Sequence, residues 1–187
     1  NVSSCIGTSA SLSVTAIGSN LTYQWYKAGV IIPGATNTIL TISNLQVANT
    51  GTYSVVVTGA CGNATSGSAT ITVGTPTSVT VQPVSSVVIC TGTSTTLSVT
   101  AVGTNLTYQW FKGTTAIAGA TNAVLTLSNI QTGTADTYYV VVTGACSNAT
   151  SSNTTLVVNA PTTITVQPVS SAVICNGTNT VLSVTAI

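Results

Sequence analysis

Hydrophobic and polar residues alternate in short runs along the whole chain. In the run from Leu21 to Lys27, Leu21, Tyr23 and Trp25 fall on one side of a two-residue period, and Thr22, Gln24 and Tyr26 on the other. A strand with one buried face requires that arrangement. Leu106, Tyr108 and Trp110 repeat it. Further strands are predicted where Leu97, Val99 and Ala101 alternate with Ser98 and Thr100, where Leu125 and Leu127 alternate, through Tyr138, Val140 and Val142, and over Thr154 to Val158. Val79 to Val81 ends at Gln82-Pro83, where proline removes a ladder donor and confines the strand to an edge. Ser86 to Ile89 is a second edge piece. No helical period appears.

The strands recur with a fixed spacing. Cys5, Cys90 and Cys175 stand 85 residues apart, as do Trp25 and Trp110, Tyr53 and Tyr138, and Cys61 and Cys146. Gly34-Ala35-Thr36-Asn37 returns as Gly119-Ala120-Thr121-Asn122 without a gap, and residues 1–17 overlay on 171–187. A constant period over every landmark marks a tandem array. The expected units are residues 1–74, lacking a first strand, a complete unit at 75–159, and the first strands of a third at 160–187. About seven strands per 85-residue repeat make an all-β protein of tandem antiparallel sandwiches.

Composition narrows the function. The 187 residues are 44% hydrophobic, enough for a packed core, but only 2% charged, where about 25% is usual. Lys27 and Lys112 are the only cations and Asp136 the only carboxylate side chain. Such a surface offers no basic patch to hold nucleic acid or an anionic membrane. No run of 18 apolar residues and no leader pattern occur, so neither a spanning helix nor a signal peptide is expected. With no His and one Asp, neither a Ser-His-Asp triad nor a carboxylate acid-base pair can be assembled, so the chain is not expected to be an enzyme. The thiols are too scattered for zinc, and no cofactor is expected.

The order Leu-Ser-Val-Thr-Ala, Tyr-Gln-Trp-Tyr-Lys, Leu-Thr-Ile-Ser-Asn-Leu, Asn-Thr-Gly-Thr-Tyr-Ser-Val resembles immunoglobulin-like domains. It is similar in particular to the tandem domains of secreted and surface proteins of Bacteroidetes-type bacteria, and the resemblance covers the whole chain. It implies that Trp25 and Trp110 are the core tryptophans and that Tyr53 and Tyr138 are tyrosine corners. The usual disulfide across the core would fall at Val14 with Val55 and at Val99 with Val140, so valine packing replaces it. The acidic residue expected four before each corner tyrosine is Asn49 or Thr134, while Asp136 stands two before Tyr138 and reads as a turn residue.

The same resemblance places Cys5 and Cys90 before the turn into the second strand, and Cys61 and Cys146 in a turn at the opposite end of the sandwich. Tyr53 to Cys61 spans about 25 Å of strand, whereas a disulfide needs Cα atoms within about 7 Å. In a head-to-tail row those turns face each other across the joint, so Cys5 can reach Cys146, and this interdomain staple is preferred. A local Cys5 to Cys61 bridge is the second reading, since local pairing is the commoner habit. Free thiols or bonds between chains are the third. On the staple reading Cys61, Cys90 and Cys175 pair with units outside residues 1–187. Any such bridge implies an oxidising, extracellular setting.

The leading expectation is a structural segment of a long extracellular repeat protein, an adhesin stalk or cell-surface filament. Its partners would be neighbouring repeats and further copies of itself, with any glycan or surface ligand bound elsewhere in the full protein. The alternative is a carbohydrate- or protein-binding accessory module of a secreted protein. Trp25 and Trp110 could stack on sugars, but their place on the apolar face argues for core packing. Tyr26 and Phe111, on the outer face, are better placed for contacts, although such residues commonly serve as cross-strand partners. Asn-x-Ser/Thr triplets at Asn1, Asn20, Asn63, Asn105, Asn148, Asn153 and Asn176 are expected by chance in a chain so rich in Asn and Thr.

Overall fold

Residues 1–187 are described by a computed structural model. The first sandwich comprises β1 (Val2–Cys5), β2 (Ala10–Ser13), β3 (Thr22–Lys27), β4 (Val30–Ile31), β5 (Ile39–Ile42), β6 (Gly51–Gly59), β7 (Gly62–Thr65) and β8 (Ala69–Gly74). The second comprises β9 (Ser78–Val81), β10 (Ser86–Cys90), β11 (Thr95–Ser98), β12 (Thr100–Val102), β13 (Thr107–Lys112), β14 (Thr115–Ala116), β15 (Val124–Leu127), β16 (Asp136–Thr143), β17 (Asn148–Thr150) and β18 (Thr154–Asn159). A last pair, β19 (Ile164–Val166) and β20 (Thr185–Ala186), follows. No helix is long and apolar enough to cross a membrane.

One layer of each sandwich has the order β1-β8-β6-β3-β4 or β10-β18-β16-β13-β14, with β7 and β17 extending the pairing of β6 and β16. The facing layer is β2 with β5 in the first sandwich, and β11 with β15 plus β12 with β9 in the second. Pairing is antiparallel except at one place in each unit, where β1 runs parallel to β8 and β10 to β18. In the second sandwich the exception follows buried Pro83. It ends β9, and the chain crosses to the other layer before resuming as β10. Thr154 Oγ1 donates to Val84 O at 2.6 Å and pins the crossing.

The inward residues of the two layers make one core per sandwich. Trp25 packs with Leu12, Leu40, Tyr53 and Val55, and Trp110 with Leu97, Leu125, Tyr138 and Val140. Each indole N–H donates to a backbone carbonyl, Trp25 Nε1 to Asn37 O and Trp110 Nε1 to Asn122 O, both at 2.9 Å. A buried indole needs that partner. Val55, Val99 and Val140 are buried in the positions of the absent core disulfides, whereas Val14 is only partly buried.

The corner tyrosines close the turns before β6 and β16. Tyr53 OH donates to Asn49 O at 2.7 Å, and Tyr138 OH to Thr134 O at 2.6 Å. Asn49 and Thr134 also accept hydrogen bonds that tie these turns, from Gln46 N to Asn49 Oδ1 at 2.7 Å and from Gln131 N to Thr134 Oγ1 at 3.1 Å. Both lysines are spent here as well. Lys27 Nζ donates to Ala48 O and Lys112 Nζ to Gly133 O.

Candidate functional site at the joint between sandwiches

The chain leaves the first sandwich at Gly74 and enters the second at Ser78, with only Thr75-Pro76-Thr77 between. A joint this short brings the end of one unit against the turns of the next. Thr75 N donates to Thr104 Oγ1 at 2.9 Å, and Thr77 N to Ser147 Oγ at 2.8 Å. Thr104 and Ser147 flank β13 and β17 of the second sandwich, so the linker backbone is tied to it on both sides. Thr77 Oγ1 is buried there without a hydrogen-bond partner.

Cys5 ends β1 directly opposite Gly74 in the parallel ladder. Cys146 lies in the turn from β16 to β17. The two are joined by a disulfide with Cα atoms 5.7 Å apart, across a sequence separation of 141 residues. The bridge therefore spans the joint and closes none of the local loops. Cys61, in the matching turn of the first sandwich, remains an exposed thiol, as do Cys90 and Cys175. Cys90 ends β10 opposite Asn159, as Cys5 ends β1 opposite Gly74.

Two glycines make the close approach possible. A Cβ on Gly74 would stand 2.7 Å from Cys146 Sγ, and one on Gly144 would stand 2.1 Å from Thr77 Oγ1. Gly144 has its counterpart in Gly59, but Gly74 is replaced by Asn159 one repeat later. Gly74, Thr77, Thr104, Gly144 and Ser147 are absent from the residues singled out by sequence. Their roles exist only once two units are packed together. A readable signal was the repeated Gly59-Ala60-Cys61 and Gly144-Ala145-Cys146.

The remaining sequence-predicted positions are structural. Phe111 stacks on Tyr139, its partner across β13 and β16, with ring centroids 5.0 Å apart and planes 2° from parallel. Tyr26 faces Ser54 and has no such mate. Burial raises the Tyr53 phenol above its ordinary pKa. Burial raises that of Tyr138 too, and the nearby Asp136 carboxylate adds to the effect.

A groove of about 620 Å³ opens on the first sandwich, lined by Val14, Ala16, Ile17, Leu21, Val57 and Cys61 among others. In the second sandwich β9 lies on the corresponding surface, paired with β12 as Val81 to Thr100, Val79 to Ala101 and Ser78 to Val102.

Residues 76–160 match the family model described as Ig-like domain CHU_C associated. No curated protein matches the chain. Among solved structures, an I-band fragment of titin is similar over 89% of this chain and 65% of its own length, at 20% identity and a TM-score of 0.74. Extracellular domains 3–5 of Drosophila OTK give 17% identity and a TM-score of 0.61, over 84% of this chain and 59% of that one. The N-terminal four Ig domains of Dscam1 give 19% and 0.58, over 84% and 43%. This chain thus spans less than two thirds of each of them, and at such identities the likeness is one of fold. Residues 76–160 are thus similar to the family described as Ig-like domain CHU_C associated, within a chain that has the fold of tandem immunoglobulin-like sandwiches.

Proposed function

We propose that this chain is a spacer: a stiff segment of an extracellular repeat protein that forms an adhesin stalk or cell-surface filament. Its working units are residues 1–74, 75–159 and the first strands at 160–187. The observation that carries this reading is the joint. A three-residue linker hydrogen-bonded at Thr75 and Thr77, with the Cys5–Cys146 bridge alongside it, gives two attachments between sandwiches in place of one flexible tether. Such a device serves reach and orientation better than it serves ligand capture. A disulfide of this kind also supports an oxidising location outside the cell.

The nearly uncharged surface adds a second property. Little electrostatic repulsion opposes contact between copies, which favours end-to-end or lateral association. Small-angle scattering on the oxidised and reduced chain tests the stiffness. The oxidised form is expected to behave as a single rigid rod, and reduction to broaden the distribution of interdomain angles. Equal flexibility in both states, or a glycan array with specific ligands, would instead favour the accessory binding module.

A further inference from the structure

The outward residues of the main layer differ between the two sandwiches in one direction. A sheet with one packed face ordinarily alternates apolar inside with polar outside. The first sandwich follows that rule with Ser3, Ser54 and Thr72 on the outside. One repeat later the same positions are Val88, Tyr139 and Val157. Val88 is 65% exposed and Val157 40%, and the two are directly paired between β10 and β18. Tyr139 stands beside Phe111 in the stacked pair on β16 and β13. Lys112 and Asp136 occupy the alternate positions of their strands, so this face carries no charge. Ser3 and Thr72 stay exposed although the Cys5–Cys146 joint lies next to them, so a further sandwich joined in the same way after Asn159 leaves Val88 and Val157 open too.

We propose that this face docks on the same face of a second copy of the chain, sheet on sheet across a two-fold axis. Its layout is self-complementary. The ring pair of Phe111 and Tyr139 stands at one corner, on β13 and β16, and the lower valine pair of Val88 and Val157 at the opposite corner, on β10 and β18. Thr137 and Thr155, paired with each other, lie between them. A two-fold axis through those threonines seats the rings of each copy over the valines of the other, tall against low, which is the reciprocal contact an isologous interface requires. The strands of the two copies then cross nearer the orthogonal than the aligned arrangement of packed sheets. Neither face brings a charge, so no electrostatic repulsion opposes the approach.

The chemistry of the face suits a protein partner better than a sugar. The Phe111 and Tyr139 rings are parallel with centroids 5.0 Å apart, close to the roughly 4.8 Å between neighbouring strands. They stand side by side, each covering one face of the other, and turn their edges outward, whereas a sugar packs on an open ring face. The flanking polar groups are already engaged: Gln109 Nε2 donates to Trp110 O at 2.9 Å and Ile117 O at 2.8 Å, and Thr107 Oγ1 to Thr143 O at 3.3 Å. Four strands contribute a face of roughly 15 by 17 Å per copy, less than the roughly 800 Å² per partner of a standard interface. One pair of faces is therefore a weak, rapidly exchanging contact.

The inference gives a surface to the lateral association proposed above and rests on that reading, while scattering tests the stiffness of the joint separately, so a stiff chain that never pairs would sink this face alone. The experiment uses the 187-residue chain with Cys61→Ser, Cys90→Ser and Cys175→Ser, which keeps the staple and removes bonds between chains. Sedimentation and amide NMR shifts are followed up to about 1 mM. A dimer is expected, with concentration-dependent shifts at Phe111, Thr137, Tyr139 and Val157. Val88→Ser, Tyr139→Ser and Val157→Thr together import the residues that the first sandwich carries at the same positions, so the fold is kept, and they should weaken the dimer at least about tenfold. Ile17→Ser, at the most exposed apolar side chain of the first sandwich, should leave it unchanged. Single chains throughout, a dimer that survives the triple change, or one lost in Ile17→Ser would each overturn the proposal. Shifts at Phe111 and Tyr139 on adding cellohexaose, without self-association, would overturn it in favour of the accessory binding module.

Discussion

The two sandwiches have almost the same residues inside and different surroundings outside. Trp25 and Trp110 make the same hydrogen bond, Tyr53 and Tyr138 close the same corner, and Val55 and Val140 are equally buried. Yet Val99 is 5% exposed under the cover of β9, while Val14, its counterpart, is only partly buried beside an open groove. The difference teaches that the burial of this valine is set by a covering strand such as β9 and not by the core residues alone. A unit's first strand and its staple both involve chain from beyond the layer they complete.

The sharpest way to break the equivalence is to empty one core. Trp110→Ala should cost about 3–5 kcal/mol, as large-to-small aromatic changes in cores do. Chemical denaturation followed by Trp25 fluorescence for the first sandwich and by circular dichroism for both would then separate the two, with the first expected to keep its own transition. If both transitions move together, the units are not independent in stability.

Next in size is the staple. Cys146→Ser, or reduction, is expected to remove about 2–4 kcal/mol from the unit it constrains. Calorimetry reads the shift, and the Cys5 thiol released by Cys146→Ser should become titratable. Gly74→Asn tests the same joint from the other side by importing the residue found at position 159. Its Cβ crowds Cys146 Sγ, so a slower or incomplete bridge is expected in a free-thiol assay.

Smaller effects come from the corners. Tyr53→Phe and Tyr138→Phe each leave a carbonyl without its phenol donor and should cost about 1–2 kcal/mol by denaturant titration. The phenols also predict a pH dependence. Both are raised above the ordinary 10.0, so the stability they contribute is complete below pH 10.0 and is lost as pH rises through the folded values. The least perturbing test is Asp136→Asn, which removes the carboxylate near Tyr138 and should lower that tyrosine's titration toward the ordinary value. Ultraviolet difference absorbance of tyrosinate measures it.

Much of this fold was legible because alternation, turn residues and a fixed spacing are local signals. The inward face of β3 and β13 and the edge position of the strand before Pro83 follow from residues within a few positions of each other, while the corner tyrosines followed from the resemblance to immunoglobulin-like domains. Thr15-Ala16-Ile17 and Thr100-Ala101-Val102 mark the limit. One is a strand and the other is not, and nothing within them says so, because strand formation depends on a partner supplied from elsewhere. The staple stands between these cases. Its cysteines were visible, but the pairing of Cys5 with Cys146 followed from the resemblance to immunoglobulin-like domains, and the roles of Gly74, Thr104 and Ser147 required two packed units.

The position of that staple changes what tension would do to the chain. Because Cys5 and Cys146 are covalently joined, a pull between the termini bypasses the intervening backbone, and the sequence separation of 141 residues is withheld from extension even if both cores melt. At roughly 3.4 Å per residue, cutting the bond releases on the order of 480 Å of slack. Under a load that melts both cores, a reducing environment would thus turn a short tether into a long one without changing a single residue.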